Sequence, residues 1–287
     1  MNDSWQIAAT TLTPKVRQWL RQPTAVSLLH LFDQAINLID ANGTVIAIVQ
    51  PSIGAGPFSI VVNEARPFPP TINPSTIIHK TANSLHIGPL HIDLRPAELW
   101  QPAPNWELLR HQQKAWLTLL PEWETAVSQQ QDRLITGAPV NFAPRFQAAT
   151  GAVREAIAQP GASGLETAVA HLAGLGPGLT PAGDDFLLGL LLGLWATRSE
   201  AEVVELGKRV VETAVPRTTQ LSAAWLQAAA QGEAWLAWHN LLAAMRAGDH
   251  WQQPFNRILN NGATSGIAAL MGFIAATAAN CHQTTRH

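Results

Sequence analysis

The residues best suited to chemistry sit in one short stretch. Residues 174–185, GLGPGLTPAGDD, hold four glycines, two prolines, one threonine and two adjacent aspartates directly ahead of a strongly apolar run. Glycine lets the backbone take positive φ and come close to a ligand, while Pro177 and Pro181 fix φ and lower the entropy lost in holding one shape. The N–H groups of such a loop, together with those opening the next helix, suit a phosphate or carboxylate. Asp184 and Asp185 pull the other way: carboxylates at a helix N-terminus already satisfy the dipole and repel an anion beside them. A magnesium ion on Asp184 and Asp185 would reconcile the two, since Mg²⁺ uses one or two carboxylates plus substrate oxygens. Alternatively, one aspartate caps the helix and the other orients a substrate amide or acts as a base. A third reading is a tight turn and cap with no chemistry. The stretch has neither the G-K-[ST] of a Walker loop nor a dinucleotide G-x-G-x-x-G after a strand.

Two further segments share this texture. Arg217, Thr218, Thr219 and Ser222 follow Pro216 at the opening of a helix, where Arg217 can fork onto a carboxylate or phosphate and the hydroxyls add donors. A capped helix with a solvated arginine fits the same residues. Asn261, Gly262, Thr264, Ser265 and Gly266 precede another apolar run and form either a second anion cradle or a plain helix start. His86 and His91 flank a Gly88-Pro89 turn and read as surface or packing residues; His171, on the helix feeding the loop, reads as packing more readily than as a site residue.

The elements that must position these residues divide in two. From Ala25 to Leu94 run short apolar segments (VSLLHLF, AINLI, TVIAIV, FSIVV, STIIHK, SLHI, LHIDL) broken by turn residues, which are strands. Asn42-Gly43 and Gly88-Pro89 mark hairpin turns, so adjacent runs are expected to pair antiparallel. After a Pro-rich boundary at 95–106, apolar residues recur three or four apart. Helices are expected over 106–130, 143–159, 164–173, from about Asp184 onward, and over 217–231, 233–247 and 263–281, with capping boxes at Ser163/Glu166 and Ser199/Glu202. The expected fold is α+β, with an N-terminal antiparallel, barrel-like β domain over 1–100 and a larger all-α domain over 101–287.

Composition narrows the partners. Among 287 residues, the charged share is 13% and the formal net charge −2, with no run of Lys or Arg. That excludes a binder of the phosphate backbone, whose affinity comes from neutralising charge. Low charge and eleven tryptophans favour contacts with other subunits. The single cysteine, Cys281, has no second thiol to pair with, and the N-terminus lacks the order of a secretory signal, so a cytoplasmic protein is expected. The most apolar stretch, Phe186–Thr197, is far shorter than the roughly 20 residues that span a bilayer.

Taken together, GLGPGLTPAGDDFLLG, RTTQLSAAWLQAAAQGE and GATSGIAALMG resemble the family of the H-type subunit of bacterial oxamate carbamoyltransferase. The resemblance covers roughly residues 165–275 well and the β half only in general character. It implies a role in anaerobic allantoin or purine-derived nitrogen breakdown, in an assembly of several different subunits that converts oxalurate and phosphate to oxamate and carbamoyl phosphate. Carried over by position, it singles out Gly176, Gly178, Thr180, Gly183, Asp184, Asp185, Arg217, Thr218, Thr219, Ser222, Thr264, Ser265 and Gly266. Relatives often continue the third segment with an aromatic residue and Asp, whereas this chain has Ile267 and Ala268. The expected ligand is carbamoyl phosphate, oxalurate or phosphate, with Asp184, Asp185 and Arg217 as the catalytic candidates. Two other classes stay open: a non-catalytic interaction subunit, and a magnesium-dependent enzyme using ATP or phosphate.

Overall fold

The computed structural model describes residues 5–248 and 250–284. Side chains from residue 280 onward, that of Cys281 included, lie outside the described residues. Internal contacts divide the chain into two units, 1–102 and 103–287.

The first unit is a nearly closed, barrel-like sheet. Its strands are β1 (Trp5–Leu12), β2 (Val26–Leu31), β3 (Ala35–Asp40), β4 (Val45–Val49), β5 (Ser59–Val62), β6 (Ile78–Lys80), β7 (Ser84–Ile87), β8 (Leu90–Asp93) and β9 (Glu98–Leu99), with helix α1 (Pro14–Leu20) after the first strand. The sheet runs β2-β3-β4-β5-β1-β8-β7-β6, and β9 pairs with β1. Its two end strands approach each other, and Lys80 on β6 donates to the carbonyls of Trp19, at 2.8 Å, and Gln22. Alternating residues such as Ile36, Leu38, Ile46, Ile48, Leu85 and Ile92 fill the interior with Val16, Trp19 and Leu20 of α1.

Both expected turns form antiparallel hairpins. Asp40 Oδ1 accepts the N–H groups of Asn42 and Thr44, each at 2.9 Å, and Gly43 takes φ +81°. Three corrections apply to the strand reading. FSIVV pairs with TVIAIV in parallel, Ala47 opposite Ser59, and β1 pairs in parallel with both β8 and β9. STIIHK is a strand only over Ile78–Lys80. The N-terminal segment, read only for a leader, supplies the central strand β1 and the Thr13-capped helix α1.

The second unit is helical: α2 (Trp106–His111), α3 (Gln113–Trp116), α4 (Leu120–Ser128), α5 (Asp132–Ile135), α6 (Phe142–Ala158), α7 (Leu165–Leu172), α8 (Ala182–Thr197), α9 (Glu200–Ala214), α10 (Gln220–Ala230), α11 (Leu236–Ala247), α12 (Gln252–Leu259) and α13 (Ser265–Thr284). The single helix expected over 106–130 is broken into α2, α3 and α4. Helix α8 is buried on every face, and α13 packs along it at backbone distance. A Cβ on Gly189 would fall 1.7 Å from the Ala269 carbonyl oxygen, and one on Gly272 would fall 1.9 Å from that of Phe186. The Ser199 cap forms, with Ser199 accepting from the Glu202 N–H at 3.4 Å, but the Glu202 carboxylate turns to Arg198 at 2.6 Å. The Ser163/Glu166 box does not form. Gly164 holds the N-cap position of α7 at φ +81°, and Glu166 pairs with Arg209 of α9. Among the described residues no helix is long and apolar enough to cross a membrane.

Candidate functional site

Helix α8 begins at Ala182, two residues before the aspartates, with Pro181 at the N-cap and no side-chain cap. Neither aspartate therefore caps it. The N–H groups of Asp184 and Asp185 both turn back to the Pro181 carbonyl, at 2.9 and 3.1 Å, and that of Gly183 reaches Leu175 O at 2.9 Å. Gly183 is required by contact: a Cβ there would lie 1.9 Å from the Leu172 carbonyl oxygen, so only glycine lets the end of α7 touch the start of α8. The loop between them closes on itself. Gly174, Gly176 and Gly178 all take positive φ, at +70°, +122° and +95°.

Asp184 is 2% exposed, and each of its carboxyl oxygens has a partner. Oδ1 accepts the Gly174 N–H at 2.9 Å, and Oδ2 accepts the Thr218 hydroxyl. Burial still raises its pKa above the ordinary carboxylate value, against the downward pull of Thr218, Gly174 and Ser222. Asp185, 8% exposed, is pushed up much further. Desolvation dominates; the Ser265 hydroxyl pulls the pKa down less, and the neighbouring Asp184 charge adds to the rise. Its Oδ2 is buried with no hydrogen-bond partner. Burial of this carboxyl favours its protonated form, which is the direction in which its pKa moves.

The starts of α10 and α13 meet this loop. Thr219 caps α10 by accepting the Ser222 N–H at 3.1 Å while its own hydroxyl donates to Leu179 O at 2.6 Å; Ser222 reaches the same carbonyl at 3.4 Å. Thr180 and Ser265 share a hydrogen bond of 2.9 Å, which ties the loop to α13. Asp184, Asp185, Thr180, Thr218, Thr219, Ser222 and Ser265 are thus brought together. Arg217 enters only through its backbone, whose carbonyl oxygen would lie 2.3 Å from a Cβ on Gly174. Its exposed guanidinium turns back onto Thr213 O at 2.5 Å, the end of α9. Thr264 contributes its carbonyl to the Ala268 N–H at 3.1 Å, and Gly266 is a packing glycine whose Cβ would lie 1.8 Å from Ile258 O.

Residues 172–277, which contain all three of these segments, match the family model described as oxamate carbamoyltransferase subunit AllH, and residues 11–99 match the AllH family N-terminal domain. Together the two matches cover more than half of the chain. The chain belongs to the AllH family. No curated protein and no solved structure matches it.

In this AllH-family chain the two aspartates that could take magnesium are 2% and 8% exposed, whereas Mg²⁺ keeps several waters. Among the described residues no third carboxylate, histidine or cysteine joins the pair to make a metal-binding group. Three further groups escaped the sequence reading. The Gly174 N–H and the Leu179 carbonyl bond the polar cluster, but backbone groups carry no residue-type signal. Arg145, on α6, borders a groove of ≈640 Å³ that runs along Gly174, Leu175, Gly176 and Pro177. Only the packing of α6 against α7 reveals it.

Proposed function

We propose that this subunit acts in a carbamoyltransferase that interconverts oxalurate plus phosphate with oxamate plus carbamoyl phosphate, and that the loop 174–185 organises its small anionic substrate. In the forward direction a phosphate oxygen forms a bond to the ureido carbonyl carbon, the bond from that carbon to the oxamate nitrogen breaks, and the nitrogen takes a proton. Negative charge grows on the carbonyl oxygen meanwhile. Donors held ready for that oxygen lower the barrier without covalent chemistry by the protein.

The observation that carries the reading is the buried, unpartnered Oδ2 of Asp185 inside a family of oxamate carbamoyltransferase subunits. A neutral acid at that place donates a hydrogen bond to a carbonyl or carboxylate and does not repel an anion, which removes the conflict posed by two aspartates beside a glycine-rich cradle. The amides of Gly176, Gly178 and Thr180 make no hydrogen bond among the described residues and are available as further donors. The test is to purify the complex with its native partner subunits and follow phosphate-dependent conversion of oxalurate to oxamate. Asp185→Leu, which cannot donate, should lower turnover by about 10²-fold, the order seen when one such donor is removed, and Asp184→Ala, which releases the Gly174 N–H and the Thr218 hydroxyl that hold the loop, should lower it as well. Unchanged turnover in both variants would remove the aspartates from the mechanism.

A second reading has its own support: the hydroxyls of Thr180, Thr218, Thr219 and Ser222 are all satisfied within the chain, as a purely structural network requires. On that reading the loop only shapes a face for other subunits. The same variants then leave turnover per assembled complex intact and reduce co-purification instead.

A further inference from the structure

The groove between α6, α7 and the glycine loop carries a chemistry that the aspartate cluster does not. Small side chains such as Ala148 leave it open, and among the described residues the only ionisable side chains on its walls are Arg145 from α6 and His171 from α7, both basic, with no Asp or Glu bordering it. Among the described residues Arg145 makes no ion pair or hydrogen bond, and it is exposed. Its place sharpens the point. Arg145 stands at the start of α6, a helix of 17 residues with no acidic residue in its first turn and no side-chain bond from Asn141 at the N-cap. A cation there adds to the positive end of the helix dipole, an arrangement that an anion in the groove relieves. On the facing wall the Gly176 amide is unpaired.

We propose that this groove binds a small oxyanion, a carboxylate or a phosphate, with Arg145 as its ionic partner. A guanidinium presents two parallel N–H donors to either group. Gly174 joins the groove to the polar cluster, because its N–H is held by Asp184 Oδ1 at 2.9 Å while the residue itself lines the groove. Filling the groove therefore bears on the loop that carries Asp184 and Asp185. The inference names where the anion of the proposed reaction docks, and so rests on that reading for its biological meaning, though not for its binding chemistry.

The experiment is calorimetric titration of the full chain, and of the co-purified complex, with inorganic phosphate and separately with oxamate at low ionic strength. Saturable binding of at least one is expected, weakened at least tenfold by Arg145→Gln, largely kept by Arg145→Lys, and unaffected by Arg154→Gln, an exposed arginine nine residues further along α6 and away from this groove. The phosphate and oxamate arms tell a phosphate site from a carboxylate site. Equal binding by wild type and Arg145→Gln, or no saturable binding in either preparation, overturns the proposal. Failure here leaves the carbamoyltransferase reading standing. A complex that binds through Arg145 yet does not convert oxalurate overturns that reading alone.

Discussion

Asp185 carries a raised pKa and an oxygen without a partner, so its protonation links site chemistry to stability. The sign follows from the direction of the shift. A carboxyl whose folded pKa lies above its unfolded value favours the fold fully below the unfolded pKa, and that contribution is lost as pH rises through the folded value. Asp185→Asn cannot ionise. The melting temperature of the variant should therefore gain on that of wild type as pH is raised from 5 to 9, and a difference constant across that range would contradict the neutral-acid assignment. Thr218→Val removes the hydroxyl that donates to Asp184 Oδ2. It should cost about 1–3 kcal/mol in urea unfolding. The aspartate pair was legible in the sequence because adjacent acids beside glycines are unusual. Its raised pKa was not, since that depends on burial by helices that begin at residues 220 and 265. Arg217 was a reasonable anion partner by residue type. In the structure its guanidinium donates to the Thr213 carbonyl at the end of α9.

At the scale of elements, the contact between α8 and α13 is set by glycines. Gly189→Ala must push a methyl group onto the Ala269 carbonyl oxygen and should lower stability by about 3 kcal/mol, read from the urea midpoint. Gly178→Ala meets no atom within 4 Å and bears only the cost of φ +95°, about 1 kcal/mol, so it should fold and melt nearly as wild type does. The apolar period of 186–197 made α8 easy to read. Its true start did not show, because Pro181 takes the N-cap position and offers no side-chain acceptor. Ser163 and Glu166 fit a capping box by spacing, yet Glu166 finds Arg209, which also bonds Gly161 O and Ala162 O at 2.8 and 2.9 Å. That tertiary partner outbids the local one. Its carboxylate is held down at about 2 by this arginine.

Across the molecule, the change from period-two to period-three-and-four apolar spacing was enough to read a barrel-like β unit followed by helices. Strand direction was harder. Parallel pairs need a crossover, and nothing in FSIVV or TVIAIV says which edge the chain returns to. Two strands were missed altogether, β9 and β1, and β1 holds the middle of the sheet, with β5 on one side and β8 on the other. Removal of residues 1–12 should split the row into two fragments and abolish cooperative unfolding of this unit, followed by circular dichroism. Trp5 pairs with Leu90, and Leu12 with Leu99. During translation, then, β1 leaves the ribosome before any of the strands it pairs with. The barrel cannot close until β9 is out, and a chaperone or a slow stretch of message acting before residue 99 emerges would meet an apolar ribbon still waiting for its mates.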